Sequence, residues 1–192
     1  MILFPVILPV GEDVEGLPGE EKVALLSRLS REALKLCAER TGVVLGEVHK
    51  DENDVPVPFG EHYWSVSHKA KYVAAVIADD AVGIDIEEVK PRPDSVLEYV
   101  ACDEEWELGG GKSLDTFFRY WTAKEAVVKA LGIGLKGLRK SLVVAVQDAD
   151  HITVKCQGRL WQVEHKRHDN HIVAVTKDDD DVEWVMPLDN RG

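Results

Sequence analysis

The chain has 192 residues, 45% of them hydrophobic, with 23 Lys and Arg against 35 Asp and Glu, giving a formal net charge of −12 at pH 7. That length allows one domain or two small packed halves, and the acidity excludes nucleic acid held by phosphate neutralisation, because no basic stripe stands out. No run of about 18 apolar residues occurs, and Met1 to Val10 lacks a basic leader and is broken by Pro5 and Pro9, so no membrane span or secretory signal is supported and the cytoplasm is the expected compartment.

Ile2 to Leu8 is apolar and rich in β-formers and predicts a strand, followed by an acidic, Gly- and Pro-punctuated loop from Gly11 to Gly19. From Glu20 to Arg40 the residues Val23, Leu26, Leu29, Ala33, Leu36 and Cys37 recur at spacings of three and four, one stripe of a helix that Gly42 can end. Val43 to Val48 predicts a short strand, and His49 to Gly60 a loop. Tyr63 to Ser67 and Tyr72 to Ala78 predict strands, and Asp79-Asp80 a turn that folds the second of these into a hairpin with Val82 to Glu87.

Beyond the Pro-rich break Lys90 to Pro93, short helical turns are expected over Asp94 to Ala101 and Asp103 to Leu108, interrupted by Gly109 to Gly111. Ser113 to Leu131 predicts a strong helix, with Ser113 or Asp115 as cap, Phe117, Trp121 and Val128 toward the core, and Gly132 as terminator. Leu142 to Val146, Ile152 to Cys156, Leu160 to His165, Ile172 to Thr176 and Glu183 to Val185 then read as an antiparallel meander without helical crossovers. The expected class is α+β: two similar halves, residues 1–80 and 81–192, each a helix on a mainly antiparallel sheet.

Side chains alternate across a strand, so Ile84 and Ile86 point one way while Asp85 and Glu87 share the other face. Such a pair is either an exposed polar face or half of a site for a hard divalent cation such as Mg²⁺. Trp121, Glu125 and Lys129 follow at i, i+4 and i+8 along one helical stripe, readable as an ordinary surface pair or as chemistry sharing one small volume. Ser67-His68-Lys69 offers a hydroxyl, an imidazole and an ammonium at a bend, either a polar turn or a phosphate contact.

His165, His168 and His171 straddle an expected turn over Lys166 to Asn170 and are read as a solvated hairpin tip rather than a metal site; Asp178 to Asp181 is read as a solvated turn. Cys37, Cys102 and Cys156 lie too far apart for a close zinc pair and are read as buried or incidental thiols.

The order Ser67-His68, then Gly83-Ile84-Asp85-Ile86-Glu87-Glu88, then Trp121-Thr122-Ala123-Lys124-Glu125-Ala126-Val127-Val128-Lys129-Ala130 with Gly132-Ile133-Gly134-Leu135, resembles the 4′-phosphopantetheinyl transferase superfamily. The closer likeness is to its pseudodimeric branch, which activates nonribosomal peptide and polyketide synthases. It spans about Arg28 to Val175. The resemblance implies a pseudodimer with coenzyme A and Mg²⁺ in the cleft between the halves, and transfer of phosphopantetheine to a serine of an apo acyl or peptidyl carrier protein with release of 3′,5′-ADP.

It further implies Asp85, Glu87 and Glu125 as Mg²⁺ ligands, Glu125 as general base, Lys129 on the phosphates, and Ser67, His68 and Lys124 as further coenzyme A contacts. A pseudodimer holds both sides of its own cleft, so a monomer is expected. The chain departs from the family where a Gly-Lys-Pro segment places a phosphate-binding lysine: here the stretch reads Asp54-Val55-Pro56, with Lys50, Lys69, Arg92, Arg28 and Arg31 as substitutes. Two other functions stay open: a catalytically weak coenzyme A-binding module that accompanies a synthase, and an Mg²⁺-dependent hydrolase of the coenzyme A diphosphate.

Overall fold

The computed structural model describes residues 1–11, 14–69 and 71–186 and is a mixed α+β structure with antiparallel sheets. Residues 12 and 13 of the expected loop lie outside the described residues. Proline divides the N-terminal apolar run: Pro5 cannot donate a ladder hydrogen bond, and the chain forms β1 (Ile2–Leu3) and β2 (Val6–Pro9) in place of one strand. Helix α1 (Gly19–Thr41) follows and ends at Gly42, which takes the left-handed φ of 74° that a helix terminator requires.

Strands β3 (Tyr63–Lys69) and β4 (Tyr72–Ala78) are antiparallel, and β2 pairs with the other edge of β4, giving the order β2-β4-β3. Every residue of β4 is buried, which explains its unbroken apolar sequence: a central strand covered on both faces has no polar side. Its alternate residues Val73, Ala75 and Ile77 pack under α1 with Leu26, Ala33, Leu34 and Cys37. The others, Ala74, Val76 and Ala78, face a second sheet through Ile84, Ile86, Val173 and Val175.

That second sheet has the order β5-β9-β8-β7-β6, from β5 (Ile84–Glu88), β6 (Leu142–Val146), β7 (His151–Cys156), β8 (Arg159–His168) and β9 (His171–Thr176). Helices α2 (Asp94–Val100) and α3 (Asp103–Leu108) precede α4 (Leu114–Leu131), whose N-cap Ser113 accepts the Thr116 N–H. Phe117, Phe118, Ala123 and Val127 of α4 pack on the face of the sheet that carries Val154, Trp161, Ile172 and Ala174. The returning C-terminal segment pairs β10 (Asp181–Val182) in parallel with β1. No helix among the described residues is long and apolar enough to cross a membrane.

Three expectations are corrected. The hairpin of Tyr72–Ala78 with Val82–Glu87 does not form: β5 pairs with β9, and Gly83 exchanges hydrogen bonds with Thr176. Both edges of β4 are already taken by β2 and β3, so the Asp79-Asp80 turn carries the chain into the other sheet. Val43–Val48 makes no ladder, and Val44 stands 91% exposed. The last expected strand, Glu183 to Val185, reduces to a single bridge from Val185 to Val6.

The solvated hairpin tip expected for the three histidines is corrected: β8 runs on through His168, His165 and His171 are buried, and only His165 lies on a different face from the other two. His165 is buried beside Ala174 and meets the Arg119 carbonyl, whereas His168 and His171 oppose one another at the hairpin end and flank the Tyr72 ring. The three cysteines are free; Cys37 and Cys156 are buried and Cys102 is exposed.

Candidate active site

The site is built where β5 meets α4. A Cβ on Gly83 would lie 1.8 Å from the Ala126 carbonyl oxygen, so only glycine lets the strand start this close to the helix. Asp85 and Glu87 oppose Ala174 and Ile172, which lie on the α4 side of the sheet. The close approach brings their carboxylates to Glu125 and Lys129.

The free edge of β5 is sealed by hydroxyls from β3. Ile84 N–H donates to Ser65 Oγ at 3.1 Å and Ile86 N–H to Ser67 Oγ at 3.4 Å. Ser67 donates in turn to Asp85 Oδ1 at 2.8 Å, and Lys129 Nζ reaches the same oxygen at 2.8 Å and the Ile84 carbonyl at 3.0 Å. On the outer side, Lys69 holds Glu87 Oε1 at 2.7 Å while Arg92 stands 3.6 Å from its other oxygen.

Each of the three acids keeps one buried oxygen without a hydrogen-bond partner: Asp85 Oδ2, Glu87 Oε2 and Glu125 Oε1. Orphaned buried acceptors are costly. The cost appears as proton affinity: burial, reinforced by the Asp85 charge and opposed by Lys129, pushes Glu125 up to about 7. Burial likewise raises Glu87 above the ordinary carboxylate value, with Lys69 opposing. Three acceptor oxygens thus stay unbonded even with Lys129, Lys69 and Arg92 beside the group.

Two adjoining clefts share Lys50 and Asp54, and the first of them reaches the cluster. One, of about 480 Å³, is lined by Glu125, Lys129, Ser65, the Gly132–Leu135 segment and the 50–56 loop. The second, of about 490 Å³, lies between α1 and β3 and includes Arg31, His49 and His68. Burial lowers the His68 pKa, and the Lys129 and Lys50 charges lower it further, which leaves a neutral ring able both to donate and to accept.

The structure brings Asp85, Glu87, Glu125 and Lys129 into one cluster, with Ser67 beside Asp85 and His68 in the second cleft. Ser67 spends its hydroxyl on Asp85, so here it orients a carboxylate. Lys124, expected at coenzyme A, is corrected: it is 1% exposed and its ammonium meets Glu105 Oε1 and the Val100 carbonyl, each at 2.6 Å. Successive helical residues point about 100° apart, which sends Lys124 into the core while Glu125 reaches the cleft. Ser65 and Glu105 carry no local sequence signal of their roles, because their partners lie in other elements.

A family model described as the 4′-phosphopantetheinyl transferase superfamily matches residues 81–176, half of the chain. The chain belongs to that superfamily. A Haemophilus influenzae protein whose own assignment as a 4′-phosphopantetheinyl transferase is provisional is 31% identical over 137 residues, 67% of this chain and 58% of that protein. An L-aminoadipate-semialdehyde dehydrogenase-phosphopantetheinyl transferase of Schizosaccharomyces pombe is 42% identical over 72 residues, 33% of this chain and 27% of that protein. The 4′-phosphopantetheinyl transferase of Bacillus subtilis is 25% identical over 97 residues, 48% of this chain and 43% of that protein. The chain therefore spans less than two thirds of each of these relatives.

Proposed function

We propose that this chain transfers 4′-phosphopantetheine from coenzyme A to a serine hydroxyl of an apo carrier protein and releases 3′,5′-ADP. The observation that carries the reading is the set of three buried carboxylates, each with an unsatisfied oxygen, gathered beside Lys129. Membership of the superfamily supports the donor and the acceptor class. The reading takes residues 1–80 and 81–192 as two halves of a pseudodimer, monomeric and cytoplasmic.

Among the described residues no three acidic, histidine or cysteine side chains already stand as a metal-holding group. The orphaned oxygens and the raised pKa values of Glu87 and Glu125 nevertheless fit a hard cation, because carboxylate oxygens are the ligands Mg²⁺ takes. Asp85, Glu87 and Glu125 would hold it. When bound, it supplies charge neutralisation on the diphosphate.

The protein's own groups perform the rest. Glu125 accepts the proton of the incoming serine hydroxyl as the serine oxygen bonds to the phosphorus that carries pantetheine. The bond from that phosphorus to the bridging oxygen breaks, and the electron pair leaves with 3′,5′-ADP. Lys129, fixed by the Ile84 carbonyl and Asp85, stabilises the departing phosphate by charge and hydrogen bonding. Ser67 keeps Asp85 oriented throughout.

Incubation with apo carrier proteins, coenzyme A and Mg²⁺, read by intact mass spectrometry, tests the reading. A gain of one phosphopantetheine that EDTA abolishes is expected. Coenzyme A binding without gain on any carrier would overturn the transferase in favour of a binding module, and release of 3′,5′-ADP at a rate indifferent to carrier would indicate a hydrolase.

A further inference from the structure

We infer that Lys50 is an anion-binding residue at the junction of the two clefts, held by Asp54 until a phosphate group of the donor takes its place. This rests on the transferase reading and adds a residue and a device to it. Lys50 and Asp54 are shared by the linings of both clefts, the one that holds Glu125 and Lys129 and the one that holds Arg31 and His68. A ligand with phosphates along an extended chain, lying across both, passes this point.

The position is fixed by the loop. Lys50 and Pro56 form an isolated antiparallel bridge, and Asp51 Oδ1 accepts the N–H groups of Asn53 and Val55 at 2.8 and 2.9 Å. These bonds, the ordinary chemistry of an Asx turn, close the loop tightly. Its tip rests on the end of α4: a Cβ at Gly132 would come within 2.9 Å of Val55 Cγ1. Lys50 is thereby registered against the helix that carries Glu125 and Lys129.

Asp54 adopts a φ of 63°, uncommon for a residue with a side chain, and its carboxylate lies 3.0 Å from Lys50 Nζ. The Asp54 side chain is 83% exposed, and an exposed ion pair of this kind contributes little. Exchanging a monovalent, solvated carboxylate for a phosphate therefore costs little and gains charge-assisted hydrogen bonds. Of the other cations named by the sequence, Lys69 and Arg92 are engaged on Glu87 and Arg28 on Glu32, and Arg31 lines the second cleft but not the first, so Lys50 alone of the five lines both. The Lys50 charge also reaches His68, alongside that of Lys129.

Titration calorimetry of the full chain with coenzyme A and Mg²⁺ at low ionic strength tests this, with Lys50→Met, Asp54→Asn and the double variant. Asparagine keeps the left-handed backbone that position 54 requires. Lys50→Met is expected to weaken coenzyme A binding about tenfold, the size of one charge-assisted bond, and Asp54→Asn to tighten it about threefold by freeing the ammonium. In the double variant the gain from Asp54→Asn disappears.

Were the pair only a loop staple, Asp54→Asn would weaken binding, and that result overturns the inference. So does a gain that persists with Met at position 50, or unchanged affinity in Lys50→Met, while wild type binds. A wild-type chain that fails to bind coenzyme A overturns the transferase reading first and this inference with it.

Discussion

Lys124 and Glu125 are neighbours on α4, yet they belong to opposite kinds of ionic site. Glu105 receives the Lys124 ammonium at 2.6 Å, the Val143 N–H at 2.7 Å and the Cys102 N–H at 3.0 Å, so every strong demand of that buried carboxylate is met. Around Glu125, three carboxylates stand with Lys129, Lys69 and Arg92, yet each leaves an oxygen without a hydrogen bond. A completed buried network holds structure together, whereas an incomplete one is stabilised only when something binds. The first ties α3, α4 and β6 into one core; the second leaves acceptors open to a ligand.

That contrast can be broken by substitution. Glu125→Gln removes both the candidate base and a cation ligand, so turnover should fall by about 10³-fold, measured by carrier-protein mass gain. Its fold should survive, and the unliganded variant should be more stable than wild type at pH 7.5. The sign follows from the raised pKa: the folded state binds a proton up to about pH 7 that the unfolded chain has already lost, so stability is highest at low pH and declines as pH rises from about 4.5 to 7. Glutamine abolishes that decline, which amounts to about 3 kcal/mol at most.

Lys124→Met should act in the opposite direction. It leaves Glu105 charged and buried, a loss of about 3–5 kcal/mol seen as a lower denaturation midpoint. Gly83→Ala sharpens the comparison further, since the added methyl strikes the Ala126 carbonyl and pushes β5 from α4. Turnover should drop about a hundredfold, while the Glu105 network on the far side of the helix keeps its geometry, checked by activity alongside near-ultraviolet circular dichroism.

The effect least visible in wild type concerns His165, fully buried and held by burial at a pKa of about 4. Its neutral form contributes stability that is complete above pH 6.5 and is lost as pH falls from 6.5 toward 4, about 3 kcal/mol at most. Because wild type gains stability from Glu125 over much the same range, the loss should stand out only in Glu125→Gln, as a steeper acid-side fall in melting temperature.

The part of this site that repeats locally was legible in the sequence. Asp85 and Glu87 alternate with Ile84 and Ile86, so a strand period of two placed both acids on one face, and the helical period aligned Glu125 with Lys129. What Lys129 touches was not legible, because its partner Asp85 lies on a strand 44 residues earlier. The same holds for Lys124: its neighbour Glu125 announced chemistry, but only the position of Glu105 across the core decides that this ammonium is structural. The Asp79-Asp80 turn correctly marked a change of direction and gave no information about which sheet received the next strand. Tyr63 to Ser67 read as a strand, yet the use of Ser65 and Ser67 to seal the edge of β5 depends on packing between sheets that no local pattern encodes.

The most direct measurement compares melting temperatures of wild type, Glu125→Gln and Lys124→Met at pH 7.5, each with and without Mg²⁺ and coenzyme A. The account predicts that without ligand Glu125→Gln melts about 5 °C above wild type and Lys124→Met well below it, and that the ligands raise wild type far more than Glu125→Gln. Destabilisation of the unliganded Glu125→Gln protein, together with an undiminished ligand shift, would contradict it.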